Sequence, residues 1–334
     1  MNSPFFAIII AVYEREEELK KLLESIGNQV FRNFEVIVVD DGSPTPLQEV
    51  VEEFQPRLSI RYYYKENSGP GQSRNYGMQK SEANYYIFLD SDTILPPQYL
   101  QEISKALEKN KYDFFGGADA AAEDFNALQK AISFAMTSMI STGGIRGRKQ
   151  SVMRFQPRSF NMGISRECFS ATGGFSDLRV GEDPDLSMRL WEKGFRSGFI
   201  EKAWVYHQRR NNLKSFGRQV RSFGRARPVL NRRHPQYRKL SFWFPSFFIL
   251  GFCIAILLAF FGIWWLLIFY GFYFSVVFIS AFIETKGLKS AILACLAVFI
   301  QMEMYGIGFL EAQIKLNLLR QKPEKAFPQH FTHD

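Results

Sequence analysis

The sequence EVIVVDDGS over residues 35–43 is an apolar run that ends in two aspartates, a glycine and a serine. Such a run is typical of a strand buried on both faces of a sheet. Phe5–Val12 is a second run of this kind, and Glu17–Ile26 follows it with leucine and isoleucine at helical spacing. We therefore predict that the chain opens as strand, helix and strand, with Asp40 and Asp41 at the exit of the second strand.

The same alternation of strand and helix patterns continues to about residue 118. We predict helices at Pro46–Phe54, Gln72–Lys80 and Pro97–Asn110, and strands at Ser59–Tyr64, Tyr85–Leu89 and Asp113–Ala118. Such a series implies an α/β domain with a Rossmann-like, mainly parallel sheet and helices on both faces. Ligands of open α/β sheets bind beyond the carboxyl ends of the strands, so polar residues just after each strand are candidate site residues.

The C-terminal third is strongly apolar. Phe242–Ile283 contains 42 residues and no Asp, Glu, Lys, Arg or His. As one helix it would measure roughly 60 Å, about twice the thickness of a hydrocarbon core. We therefore predict a helical membrane anchor with two spans, 242–261 and 263–283, joined by a turn near Gly262.

A third apolar segment, residues 290–310, is either a third span or an interfacial helix. A third crossing would leave the basic tail outside the cell, against the positive-inside bias, whereas an interfacial helix would keep it in the cytoplasm. Glu303 within the segment is costly in lipid, but would be compatible with a functional third span. We divide the chain into a catalytic domain (1–207), a basic juxtamembrane segment (208–241) and a membrane region with a cytoplasmic tail (242–334).

The formal net charge of +8 comes from one basic segment of the chain. Lys202–Lys239 holds twelve Lys and Arg and no acid, and the rest of the chain holds 29 bases and 33 acids. A polybasic segment that runs into a membrane region is explained by anionic lipid headgroups, so we expect no nucleic-acid partner. The N-terminus lacks the pattern of a cleavable signal. We expect a multi-pass protein of the cell (inner) membrane with a cytoplasmic catalytic domain.

Three motifs follow predicted strands or precede predicted helices. Residues 88–92 read FLDSD, and alternate carboxylates at a strand exit can reach one hard cation together with diphosphate oxygens. Residues 67–77 form a glycine-rich turn that leads into a helix and carries Arg74, a bidentate donor to anions. Residues 181–186 read GEDPDL, where the acidic pair either caps a helix or acts in proton transfer.

In order and spacing these motifs resemble the family 2 glycosyltransferases of GT-A fold, over residues 5–207. The resemblance implies that a nucleotide-sugar donor and a divalent metal, Mg²⁺ or Mn²⁺, are bound at the strand exits. It implies the following donor-binding residues: Val12, Tyr13, Glu14, Asp40 and Asp41 for the base, Arg74 for the base and diphosphate, and Asp90 and Ser91 for the ribose.

The resemblance also assigns chemistry. Asp92, with Asp90, would bind the metal, and Asp183 would deprotonate the acceptor hydroxyl, with Glu182 as the less favoured base. Direct displacement by that hydroxyl would invert the anomeric carbon.

His207 and residues 160–164 each allow two interpretations. His207 follows the last strand before the basic segment and is either a third metal ligand or diphosphate donor, or a structural histidine. Residues 160–164 resemble the family segment that lines the donor-sugar pocket, through Asn161 and Gly163. The other interpretation is a buried strand with a glycine kink.

The predicted function is a metal-dependent hexosyltransferase. It moves one sugar from a nucleotide-diphosphate sugar, with UDP-sugar expected, to a lipid-linked or other membrane-held acceptor for cell-surface glycan or glycolipid synthesis. A polymerising synthase is the alternative, but the Gln-x-x-Arg-Trp motif of processive members is missing at residues 219–223. A non-catalytic nucleotide-sugar-binding scaffold is less favoured, because Asp92 and Asp183 are both present.

Overall fold

The structure is a computed structural model that describes residues 3–120, 125–142, 155–207 and 212–332. It divides into two compact units. The catalytic unit contains residues 1–120, 148–208 and 331–334, and the helical unit contains residues 121–147 and 209–330.

The bounds of the elements agree closely with the predicted ones. The strands are β1 (Phe6–Val12), β2 (Phe34–Asp40), β3 (Ile60–Tyr64), β4 (Tyr85–Asp90), β5 (Thr93–Ile94), β6 (Phe114–Ala120), β7 (Asn161–Ser165) and β8 (Ser197–His207). The helices are α1 (Glu16–Gly27), α2 (Gln48–Glu52), α3 (Pro70–Gln79), α4 (Tyr99–Asn110), α5 (Ala127–Thr137), α6 (Met139–Thr142), α7 (Arg166–Thr172), α8 (Glu182–Glu192), α9 (Leu213–Arg233), α10 (Phe244–Phe260), α11 (Trp265–Thr285), α12 (Leu288–Gln313) and α13 (Pro323–Ala326).

The strands form one sheet in the order β3-β2-β1-β4-β7-β6-β8-β5. The first four strands along the chain are parallel, β7 is antiparallel to β4 and β6, and β8 is parallel to β6. This mixed, mainly parallel sheet confirms the predicted α/β fold class. The register pairs Val12 with Asp40 and Ala11 with Asp90, so the exits of β1, β2 and β4 lie level at one edge.

The sheet interior explains why the first strands read as continuous apolar runs. Phe6–Ile10 on β1 are all fully buried, and so are Val36–Val39 on β2, so both faces of these strands are covered. Helices cover both faces of these strands, so alternation between apolar and polar residues is lost. Their polar residues are confined to the exits, where the site forms.

The helical unit contains the three apolar helices α10, α11 and α12, each long and apolar enough to cross a membrane. It also contains α5, which we had assigned to the catalytic domain. The reason is the apolar face of α5, which includes Ile132 and packs with Ala297 and Val298 of α12. Gln301 of α12 donates to the backbone oxygen of Ala135 at 2.9 Å.

Helix α9, the basic segment, packs closely on the C-terminal half of α12. A Cβ atom at Gly224 would lie 2.3 Å from the backbone oxygen of Tyr305, and one at Gly308 would lie 2.3 Å from that of Arg221. Only glycine permits so close an approach of two backbones. The C-terminal half of α12 is therefore covered by a helix that carries many bases.

Candidate active site

Asp40 and Asp41 both lie at the exit of β2, as predicted. Asp40 is fully buried, and its carboxylate accepts hydrogen bonds from Ser43 N (2.9 Å), Leu47 N (3.1 Å) and the hydroxyl of Tyr62 (2.7 Å). Both oxygens are thus used within the loop that follows β2. Asp40 therefore stabilises the exit of β2, and its contact with the nucleotide stays a prediction.

The carboxylate of Asp41 organises the glycine-rich turn before α3. Its Oδ1 accepts from Lys65 Nζ (3.0 Å), Ser68 N (3.0 Å) and Ser73 Oγ (2.7 Å), and its Oδ2 accepts from Gly69 N (2.9 Å). Hydrogen bonds to a charged acceptor are short and strong, and four donors converge on this one carboxylate. Asp41 therefore ties the exit of β2 to the exit of β3 and to the start of α3.

The end of β1 presents two side chains to the same edge. Val12 is buried, and its backbone oxygen accepts from Asp41 N at 2.8 Å. Tyr13 is 44% exposed, and Glu14, also exposed, has a φ of +53° while its N–H donates to Ser43 Oγ at 3.0 Å. A non-glycine residue with this φ is uncommon, and it turns the chain away from the sheet at the site.

Arg74 connects the two acidic motifs. Its Nη2 donates to Asp90 Oδ1 at 2.7 Å, and its Nη1 lies 3.4 Å from Glu182 Oε1. Its guanidinium carbon lies 5.3 Å from the centre of the Phe175 ring, and the side chain is only 4% exposed. The exit of β4 and the start of α8, which are far apart in sequence, are therefore joined by one buried cation.

The carboxylate of Asp92 forms an ion pair with Arg15, whose Nη1 donates to Asp92 Oδ2 at 2.6 Å. Ser91 between the two aspartates is buried. His207 is the last residue of β8 and pairs in register with Thr93. Its backbone therefore lies beside β5, the strand that follows Asp92. The side chain of His207 is not among those that the structure describes. Among the described side chains, no group of three or more His, Cys, Asp or Glu could hold a metal ion.

Glu182 and Asp183 are the first residues of α8, after Gly181 at φ +87°. Glu182 is 8% exposed, and burial together with the charge of Asp183 raises its pKa to about 7, against the opposing effect of Arg74. Asp183 Oδ2 lies 3.6 Å from Arg158 Nη1. Both carboxyl groups are largely enclosed, and each faces a different arginine, Arg74 for Glu182 and Arg158 for Asp183.

Asn161 and Gly163 form the buried strand with a close glycine contact, which was the second of their two interpretations. Tyr99 donates its hydroxyl to Asn161 Oδ1 at 2.7 Å, and Asn161 Nδ2 donates to the backbone oxygen of Ala203 at 2.9 Å. A Cβ atom at Gly163 would lie 2.1 Å from the ring of Phe115. The Phe115 ring occupies the space into which a side chain at residue 163 would point, which favours the buried-strand interpretation; donor-sugar binding by Asn161 and Gly163 stays a prediction.

Sequence reasoning missed several residues of the site. Lys65 directly follows β3, so the search for polar residues after each strand would have found it. Arg15 and Arg158 contact the acidic motifs, but neither lies in a recognisable pattern. Asn75 makes two hydrogen bonds to the backbone of Phe175. Its Nδ2 donates to the backbone oxygen, and its Oδ1 accepts from the backbone N–H, both at 2.8 Å.

The chain was compared with known families and structures. Residues 7–169 match the family described as glycosyl transferase family 2. An uncharacterized glycosyltransferase of Rickettsia bellii is 38% identical over 108 residues, which cover 32% of this chain and 16% of that protein. The chain spans less than a fifth of the length of that relative and of two further Rickettsia relatives.

Two solved structures resemble the fold. The mannosyltransferase PcManGT of Pyrobaculum calidifontis, in complex with GDP-Man and Mn²⁺, has a TM-score of 0.57 at 16% identity, covering 96% of this chain and 89% of that one. TarS residues 1–349 of S. aureus, in complex with UDP-GlcNAc, has a TM-score of 0.50 at 17% identity, covering 93% and 92%. At this identity the likeness concerns the fold.

The sheet, the acidic strand exits and the match over residues 7–169 group this part of the chain with the family 2 glycosyltransferases. The chain carries a family 2 glycosyltransferase domain of GT-A fold, which is followed by three apolar helices.

Proposed function

We propose that the protein is an inverting, metal-dependent glycosyltransferase that moves one hexose from a nucleotide-diphosphate sugar to a membrane-held acceptor. The observation that carries the proposal is the buried Arg74, which joins Asp90 at the exit of β4 to Glu182 at the start of α8. A donor-side carboxylate, a cation for the diphosphate and an acceptor-side acidic pair are thereby held together, as a single displacement requires.

The donor side of the site suits a nucleotide diphosphate. Tyr13 and Glu14 are exposed at the end of β1, where a base would lie, and Arg74 offers donors to a diphosphate. The two structural neighbours hold UDP-GlcNAc and GDP-Man, which supports a nucleotide-diphosphate sugar as donor. UDP-sugar is the donor that we propose.

Asp90 and Asp92 are the residues that would hold a divalent metal. Two carboxylates at one strand exit fit Mg²⁺ or Mn²⁺, which commonly takes its remaining ligands from substrate phosphates and water. A bound cation would offset the negative charge that develops on the departing diphosphate. In this chain, Arg74 donates to Asp90 and Arg15 donates to Asp92.

Asp183 is the proposed general base, with Glu182 beside it. The acceptor oxygen forms a bond to the anomeric carbon while the bond from that carbon to the diphosphate oxygen breaks. The acceptor proton passes to the carboxylate, and the electron pair of the broken bond leaves with the nucleotide. Attack from the face opposite the leaving group inverts the anomeric carbon.

The membrane arrangement supports a lipid-linked acceptor. The chain leaves the catalytic unit at about residue 208 and rejoins it at Phe331, so an even number of crossings is expected between these points if the unit lies on one side. We propose that α10 and α11 cross the membrane. Helix α12 would lie in the interface, since α5 and α9 cover it. The bases of α9 then face anionic headgroups.

A cysteine introduced at Gln329 tests this arrangement. In a chain with Cys253 and Cys295 replaced by serine, a membrane-impermeant thiol reagent is expected to label Gln329→Cys only after the cells are permeabilised. Labelling of intact cells would place the tail outside the cell and contradict this arrangement.

The experiment that tests the proposed activity uses the purified full chain in lipid vesicles. A panel of UDP- and GDP-sugars is supplied with Mn²⁺ and a membrane-lipid extract, and nucleotide release and sugar transfer into lipid are measured. Transfer from one donor, abolished by EDTA, is expected. A long polymer as product would favour the polymerising synthase, and donor binding without transfer would favour a scaffold.

A further inference from the structure

The end of the chain returns to the catalytic unit after the apolar helices. Phe331 forms an isolated antiparallel bridge with Leu178, and Thr332 N donates to the backbone oxygen of Asp177 at 2.7 Å. Both Phe331 and Leu178 are almost fully buried. We call Phe331 and Thr332 the C-terminal strap, because they add a short strand to a loop of the catalytic unit.

The loop that the strap contacts leads directly into the acidic pair. Residues 175–180 lie between Gly174 at φ +84° and Gly181 at φ +87°. Glycine adopts these left-handed conformations at little cost, so the two residues define sharp turns at either end of the loop. Gly181 is followed at once by Glu182 and Asp183 in the first turn of α8, so the loop conformation sets where these carboxylates lie.

Helix α3 holds the first half of this loop. Asn75 makes two hydrogen bonds of 2.8 Å to the backbone of Phe175, and Gln72 Nε2 donates to the backbone oxygen of Ser176 at 3.0 Å. These contacts flank Arg74, the cation that joins the two acidic motifs. The second half, at Asp177 and Leu178, receives the strap.

The residues just before the strap are themselves fixed within the helical unit. Phe327 and His330 are buried, and the Phe327 ring lies 4.8 Å from Lys315 Nζ and 5.7 Å from the guanidinium carbon of Arg225. The residues before the strap are thus held by buried contacts of their own.

We propose that the C-terminal strap is a positioning element for glycosyl transfer, which holds loop 175–180 so that α8 presents Glu182 and Asp183 to the acceptor. This inference rests on the proposed function of the acidic pair. The strap contacts Asp177 and Leu178, just before the acidic pair on the acceptor side, so its loss should slow transfer while donor binding is kept.

The N–H group of Thr332 offers a matched pair of variants. Thr332→Pro removes the donor to Asp177, whereas Thr332→Ala removes only the side chain and its weaker bond of 3.2 Å to the same oxygen. Deletion of residues 331–334 is a second variant that removes the strap altogether. Each full chain is compared in vesicles by hydrogen exchange of residues 173–181, by kcat and by the Kd for the donor.

The expected result is faster exchange of residues 173–181 and a kcat at least about tenfold lower for Thr332→Pro and for the deletion, with Thr332→Ala close to wild type and donor Kd within about twofold. Unchanged exchange, or faster exchange with unchanged kcat, would overturn the proposal. If the wild type transfers no sugar, the proposed function is refuted. Equal hydrogen exchange in all variants would independently refute the positioning role of the strap.

Discussion

Arg15 Nη1 donates to Asp92 Oδ2 at 2.6 Å, across 77 positions of sequence. A cation thus sits on the carboxylate that we assign to the divalent metal. Since the pair is partly exposed, with side chains 36% and 18% accessible, its strength is about 1 kcal/mol. Arg15 and a metal ion compete for the same charge, and this competition can be measured without turnover.

Replacing Arg15 is expected to tighten metal binding. Arg15→Gln removes the competing cation and its repulsion, so Mn²⁺ affinity, measured by electron paramagnetic resonance on the full chain, should rise about fivefold. Arg15→Lys keeps the charge and is the control, with affinity near wild type. Equal affinities in all three proteins would show that Asp92 does not hold the metal.

Asp183→Asn is expected to reduce transfer at least about a thousandfold while donor affinity stays within about threefold. The amide keeps the shape of the side chain but cannot accept a proton, and Asp183 contacts Arg158, not the donor-side carboxylates, in the described geometry. Single-turnover transfer and calorimetric titration of the donor separate the two effects. Lost donor affinity with transfer preserved would refute the assignment.

The raised pKa of Glu182 predicts a pH dependence. With a pKa of about 7, Glu182 is neutral below pH 7 and charged above it, so the acidic limb of the kcat profile should lie near pH 7. Glu182→Gln mimics the neutral form, so its kcat should stay near the low-pH level of the wild type and should not rise through pH 7. An unmoved limb would assign it to another group.

The same group affects stability. A carboxyl group whose pKa is raised on folding contributes stability that is full below its unfolded pKa and is lost as the pH rises through its folded pKa. The Tm of the wild type relative to Glu182→Gln should therefore fall between pH 5 and pH 8.

The sequence predicted the helices and strands well because their signals are local. The runs at β1 and β2, and the uncharged segment that became α10 and α11, carry unambiguous periodicity or length. The antiparallel insertion of β7 could not be predicted, since it depends on pairing between distant strands. The packing of α5 on α12 was missed because an apolar helix face does not identify its partner.

The site was predicted at the level of strand exits but not of side-chain direction. Asp40 and Asp41 are adjacent, and both carboxylates are enclosed by hydrogen bonds, which no pattern of residue types reveals. Asn161 and Gly163 match the family's sugar-pocket segment by sequence, but the Phe115 ring occupies the space into which a side chain at residue 163 would point. Such outcomes depend on tertiary neighbours more than on the motif.

Gly163→Ala distinguishes the buried-strand interpretation of Gly163 from the sugar-pocket interpretation. The added Cβ would lie 2.1 Å from the Phe115 ring, so the unfolding free energy should fall by about 2 kcal/mol. Phe115→Leu introduced with it should recover part of the loss, because the shorter side chain leaves room. A raised KM for the donor sugar with unchanged stability would instead restore the pocket interpretation.

The most direct test of the proposed single displacement is the anomeric configuration of the product. Purified full chain in lipid vesicles is supplied with the active nucleotide sugar and acceptor, and the configuration at the anomeric carbon of the newly joined sugar is determined by NMR. A base at Asp183 opposite the leaving diphosphate predicts the inverted configuration. Retention of the donor configuration would contradict the account.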